Sequence, residues 1–197
     1  MIRIGLTGSI GMGKSAVAAM FRREGVPLFD ADAEVHRLQG PGGIVLSAIE
    51  ARFPGTTGPA GLDRLTLGKA VFGNPAALAD LEAIVLPAVK SARMAFLRRH
   101  RARPIVVLDI PLLFEKAGRE RMDVVVVVSA PAWKQRRRVL ARPGMTVEKF
   151  RRIMRLQMPD AEKRRRADIV IPTGGTISAT RKAVRDLIAC LSARQGR

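Results

Sequence analysis

The chain has 197 residues, 47% of them hydrophobic and 26% charged, which suits one ordinary soluble domain with a sizeable core. A single cysteine, Cys190, excludes a disulfide framework and a cysteine-based zinc site. His36 and His100 are too few and too far apart for a metal centre, and no apolar run reaches the roughly 20 residues that span a bilayer. With 35 Lys and Arg against 17 Asp and Glu the net charge is +18, which attracts polyanions and steers phosphorylated ligands, yet 4% aromatics and no tyrosine leave little for base-stacking platforms.

Taken in chain order, Ile2–Thr7 is a short apolar run ending at a glycine, a buried strand. Lys14–Arg23 carries Val17, Met20 and Phe21 on one side and stops at Gly25, a helix. Residues 26–29 form a second strand and Ala31–Leu38 a second helix, so the chain opens as a βαβ-type unit and predicts a parallel sheet. The apolar start is interrupted by glycines and Lys14, so it does not read as a signal peptide, and a cytoplasmic protein is expected. Residues 38–101 read as a helical insertion without a convincing strand. Within it lie an apolar-periodic piece at 44–53, a helix from Asp63 to Phe72, and a long one capped by Asn74 with Pro75 at its first position. The sheet resumes at 105–108 and 124–128, runs apolar throughout, as strands covered on both faces are. A basic helix over 132–141, another over 146–158, a fifth strand in "ADIVIPTGG" and a last helix over 178–194 follow. Cys190 is expected as a small buried residue on that last helix.

"GSIGMGKS", Gly8 to Ser15, satisfies G-x-x-x-x-G-K-[ST] between a strand and a helix. Glycines let the backbone curl so that successive N–H groups face phosphate oxygens, and the helix N-terminus adds partial positive charge. Lys14 is placed to reach the β- and γ-phosphates of a nucleotide and the Ser15 hydroxyl to ligate Mg²⁺. The same stretch also fits G-x-G-x-x-[GA] through Gly11, Gly13 and Ala16, with Asp30 and Asp32 spaced to hold a ribose in a dinucleotide fold. That reading leaves Lys14-Ser15, the +18 charge and the helical insertion without a role. No N-K-x-D guanine-reading motif is present. Asp109, ending the third sheet strand, resembles a Walker B acid acting on Mg²⁺ directly or through water, or else caps the next turn. Arg138 and Arg142, four apart in "QRRRVLARPGMT", are expected on one helix face as guanidinium groups for phosphoryl-transfer charge, with Pro143-Gly144 as a bend.

Together, "GLTGSIGMGKS", "FDAD", "DRLTLGKAVFGNP", "LEAIVLP", "VLDIPLLFE", "QRRRVLARPGMT", "RIMRLQ" and "ADIVIPTGG" give the chain a nearly end-to-end resemblance to the dephospho-coenzyme A kinase family. The resemblance implies a three-layer α/β/α P-loop fold with a five-stranded parallel sheet, as one kinase domain. Its core comprises about 1–37 and 102–197, its acceptor-binding insertion about 38–101 and its lid about 138–166. It implies ATP and Mg²⁺, and phosphorylation of the ribose 3′-hydroxyl of dephospho-coenzyme A, the last step of coenzyme A synthesis. Asp32 is then the residue at the acceptor hydroxyl, Arg142 the lid arginine, and Asp30 a cap. Nucleotide-binding candidates are Gly8, Gly11, Met12, Gly13, Lys14, Ser15, Ala16 and Arg138, with Ser15 and Asp109 for the metal. Partners expected are ATP and dephospho-coenzyme A, with no specific nucleic acid, no membrane and at most weak self-association. Departures are Leu86-Pro87 for a frequent His-Pro, Thr173 for an Asn near the adenine, and Ala16 for a Thr. Alternatives are a nucleoside-monophosphate-type kinase and a basic nucleic-acid-binding P-loop NTPase.

Overall fold

The structure is a computed structural model and describes residues 1–117 and 122–195. In chain order the elements are β1 (Ile2–Thr7), α1 (Lys14–Arg23), β2 (Leu28–Asp30), α2 (Ala31–Leu38), α3 (Leu46–Arg52), β3 (Thr57–Gly58), β4 (Gly61–Leu62), α4 (Arg64–Val71) and α5 (Pro75–Arg99). They continue with β5 (Ile105–Asp109), a π-helical turn (Leu113–Ala117), β6 (Val124–Ser129), α6 (Ala132–Leu140), α7 (Val147–Leu156), α8 (Asp160–Arg166), β7 (Ile169–Pro172) and α9 (Ile177–Gln195). The chain divides into two compact units, Met1–Phe29 with His100–Arg197, and Asp30–Arg99.

The first unit holds the five-stranded sheet, in the order β2-β5-β1-β6-β7. β1 runs parallel to both β5 and β6, and β6 parallel to β7. The apolar strands alternate between two cores, as a period of two requires. Val126 and Val128 join Ile4, Leu6, Val17, Phe21, Val184 and Leu187 on the face covered by α1 and α9. Val125 and Val127 pack on the opposite face against Leu113, with Phe114 and Met122 beside them. Such double-sided burial explains why β5 and β6 read as unbroken apolar runs. The register sets Leu6 beside Asp109, so the carboxyl ends of β1 and β5 finish together.

The second unit has its own core of Leu38, Val45, Ile49, Phe53, Leu67, Ala77 and Val85, drawn from α2 to α5 and the segments joining them. Local caps account for the starts of α4 and α5. The Asp63 carboxylate accepts from the Leu65 and Thr66 amides, and Asn74 Oδ1 accepts from the Ala77 amide. The insertion is not purely helical, because β3 and β4 form a short antiparallel hairpin. Glu50 holds it by accepting from the Gly55 and Thr57 amides and the Thr57 hydroxyl. Two-residue strands carry too little periodicity to be read from sequence. α2 groups with this unit, so the observed boundary falls at Asp30, earlier than the expected 38. α8 was also unforeseen, its four consecutive basic residues giving no apolar stripe. Cys190 is exposed, not buried, because α9 turns Val184, Leu187 and Leu191 inward instead.

Candidate active site

The phosphate loop is built where β1 hands over to α1. Gly13 is the residue before the helix, in the left-handed region at φ 89°, and it supplies no side-chain cap; the first turn carries no acid. Among the described residues the Gly13, Lys14 and Ser15 amides find no acceptor, whereas the Met12 amide donates to Ser9 O and the Ala16 amide to Gly13 O. An uncapped helix start with open amides suits the terminal phosphates of a nucleotide. A Cβ on Gly8 would lie 2.4 Å from Val128 Cγ2, and one on Gly13 would lie 3.1 Å from Thr173 Oγ1 on a backbone that L-residues avoid. Met12 is buried and its sulfur accepts from the Ala130 amide, so its side chain serves packing.

Lys14 Nζ lies 2.5 Å from Asp109 Oδ1, the carboxylate being only 3% exposed. The paired strand ends bring these residues together across 95 positions of sequence. Asp109 thus engages the loop lysine directly, an ion pair that the sequence reading did not include. Ser15, one residue on, is exposed and its hydroxyl has no partner among the described residues. The residues fit a Mg²⁺–nucleotide: a free hydroxyl, a deep carboxylate and a lysine stand at one strand-end.

The two arginines part company. α6 ends at Leu140, so Arg142 lies beyond the C-cap residue Ala141, in the turn leading to α7, and does not share a helical face with Arg138. Arg138 is tied down, donating to Thr173 O at 2.7 Å and reaching Gly11 O at 3.4 Å. Arg142 is exposed and its guanidinium has no partner among the described residues. In the other unit, Asp30 Oδ1 accepts from the Ala33 amide at 3.0 Å and so caps α2. Asp32, in the first turn, is exposed and its carboxylate is unpartnered among the described residues.

Residues 2–178 match the family model described as dephospho-CoA kinase. A dephospho-CoA kinase of Novosphingobium aromaticivorans is 61% identical over 98% of this chain and 96% of its own length. A crystal structure of a Thermus thermophilus protein superposes with a TM-score of 0.84 at 39% identity, covering 95% of this chain and 96% of that one. A dephospho-CoA kinase from Campylobacter jejuni shares the fold, with a TM-score of 0.65 at 23% identity over 97% of each chain. This chain belongs to the dephospho-CoA kinase family.

Several further residues of this kinase family member work at the site, through contacts that the sequence did not assign to them. Thr173 is buried, and its hydroxyl donates to Met12 O at 2.6 Å and reaches Ser129 O at 3.2 Å. It therefore braces the floor of the phosphate loop, while its carbonyl receives Arg138. Gln135 Nε2 donates to Ile10 O and Gln157 Oε1 accepts from the Ile10 amide. Both stand in stretches that carry the family resemblance, but nothing in those stretches pointed to Ile10. At the base of α8 the fully buried Lys163 pairs with Glu115 at 2.9 Å, and Glu115 also accepts from the Met158 amide.

Burial pushes the Glu115 carboxyl up, but the Lys163 ammonium and the Met158 amide outweigh it and hold the group below the ordinary carboxylate range. A depressed folded pKa stabilises the protein above the ordinary glutamate value, and this is lost as pH falls through the folded one. Glu115→Gln, which strands a buried ammonium, is expected to cost about 3–5 kcal/mol at neutral pH in denaturant unfolding. The gap from the parent should narrow as pH falls below the ordinary glutamate value and close below the depressed folded one. An unchanged gap across that window would show that the loss does not come from the ionised Glu115–Lys163 pair.

Proposed function

We propose that this chain performs an in-line transfer of the γ-phosphoryl group of ATP to the ribose 3′-hydroxyl of dephospho-coenzyme A. Family membership makes it an ATP-dependent kinase acting on dephospho-coenzyme A in coenzyme A biosynthesis. The residue roles are this proposal's own. The observation that carries them is the uncapped α1 start at Gly13, with open amides and Lys14 beside it.

Lys14 leaves Asp109 for the β/γ-phosphates when the nucleotide arrives, and the open amides of Gly13, Lys14 and Ser15 hold the remaining oxygens. Ser15 and Asp109 would hold Mg²⁺, which when bound neutralises developing charge on the phosphates. Asp32 accepts a hydrogen bond, then the proton, from the acceptor hydroxyl. Arg142, whose guanidinium has no partner to give up among the described residues, steadies charge on the transferring group, while Arg138 supports the loop from behind. The basic balance of the chain favours encounter with both polyanionic substrates. No helix among the described residues is long and apolar enough to cross a membrane, and we place the enzyme in the cytoplasm, where ATP is supplied.

An ADP-release assay over a panel of acceptors tests the specificity. Dephospho-coenzyme A should stimulate ADP release, and nucleoside monophosphates should give no more than the acceptor-free rate. Comparable stimulation by a nucleoside monophosphate would shift the assignment to that acceptor class.

A further inference from the structure

The Ile10 peptide of the phosphate loop is held at both ends by side-chain amides from different helices. Gln135 of α6, only 4% exposed, donates Nε2 to Ile10 O at 2.8 Å. Gln157, the C-cap residue of α7, accepts the Ile10 amide on Oε1 at 3.0 Å. Among the described residues, the Ile10 and Met12 amides are satisfied within the protein, while those of Gly11, Gly13, Lys14 and Ser15 find no acceptor. An amide already engaged by a side chain does not bind phosphate, so the Gln157 bond sets the shape of the loop. The next residue fixes the other side of the same joint, because the Met158 amide donates to Glu115, itself paired with Lys163. Between Gln135 and Gln157 lies the turn bearing Arg142, whose guanidinium has no partner among the described residues, and α7 itself has no fully buried residue. Gln135 Nε2 also reaches Met154 Sδ on α7 at 3.3 Å, and Gln157 at the end of α7 reaches the loop itself.

We propose that Gln157 is a positioning residue for phosphoryl transfer. Its bond to Ile10 registers the Arg142-bearing segment on the phosphate loop, so that Arg142 meets the transferring group and water is kept from it. This rests on the reading of the loop and Lys14 as the ATP site. When the register is lost, water replaces the acceptor hydroxyl, and ATP is converted to ADP and inorganic phosphate without transfer.

The test uses the full chain carrying Gln157→Met, similar in length but without an amide acceptor, and Gln157→Glu, which keeps an acceptor oxygen. Transfer to dephospho-coenzyme A, phosphate release and thermal unfolding are measured for each. Gln157→Met should lose about 10-fold in kcat, keep KM for ATP within about 2-fold, and release several times more phosphate per transfer. Gln157→Glu should show the opposite split. Its kcat stays within about 3-fold at saturating ATP, while KM for ATP rises because a negative charge stands near the phosphates. A purely structural role would lower the unfolding temperature and active fraction without altering phosphate release per transfer. The proposal is overturned if Gln157→Met keeps both the parent kcat and the parent ratio of transfer to hydrolysis. It is equally overturned if Gln157→Glu is as slow as Gln157→Met at saturating ATP, and the Glu variant decides alone if the Met variant does not fold. Lys14→Ala serves as control: its retaining activity would refute the ATP-site reading itself, whatever the Gln157 variants do.

Discussion

An Asp32→Asn enzyme is expected to use ATP with nearly the parent KM and to turn over about 10²–10⁴-fold more slowly. The size follows from what the substitution removes. Asparagine has almost the same shape and still offers an oxygen to the acceptor hydroxyl, so orientation survives in part. It cannot take the proton, and the alcohol must then attack without a base. Asp32 is well suited to such a comparison because its carboxylate is exposed and unpartnered among the described residues, so no buried contact is lost. The stability of the variant should lie within about 0.5 kcal/mol of the parent. Steady-state kinetics with dephospho-coenzyme A as the varied substrate, together with single-turnover rates, would decide the matter. A near-normal single-turnover rate would remove Asp32 from the proton-accepting role. Asp30→Ala is the contrasting variant. It deletes the cap on the Ala33 amide and should cost about 1 kcal/mol of stability with far less effect on turnover.

Lys14→Ala is expected to lower kcat/KM for ATP by about 10³-fold or more, since it removes a fixed cation from the phosphates in both ground and transition states. The structure adds a second consequence. Lys14 is the ammonium paired with Asp109, whose carboxylate is 3% exposed, so removing it breaks a buried pair and should cost about 3–5 kcal/mol. Low activity could then be mistaken for poor folding. The double variant Lys14→Ala with Asp109→Asn separates the two, because it removes the buried charge along with its partner. Thermal unfolding of the double variant should recover most of the loss, while kcat/KM rises no higher than that of Lys14→Ala. Recovery of activity together with stability would mean that Lys14 acts on the fold and not on the nucleotide.

What could be read in the residues was whatever depends on neighbours along the chain. The loop from Gly8 to Ser15 is one such case, since the left-handed turn at Gly13 and the helix start at Lys14 are properties of a few consecutive positions. The Asp30, Asp63, Asn74 and Thr146 caps are others, each side chain bonding an amide two or three residues on. The valines of β6 announced a strand buried on both faces, because an unbroken apolar run leaves no side for water. The pairing of Arg138 with Arg142 misled for the same reason: spacing alone put both on one helix, but the helix ends at Leu140, short of Arg142.

The sequence by itself determined the P-loop, the class of chemistry and the strands that carry it, through short-range pattern and charge. Only the tertiary structure decided which distant groups hold that loop in shape. Asp109 meets Lys14 because β5 lies beside β1, and Thr173 reaches Met12 O from the end of β7. Gln157 reaches Ile10 across 147 positions. The order β2-β5-β1-β6-β7 is set by how whole faces bury against α1 and α9 and against the Leu113 side. Burial on that scale is a property of the packed sheet, and no local pattern of residues contains it.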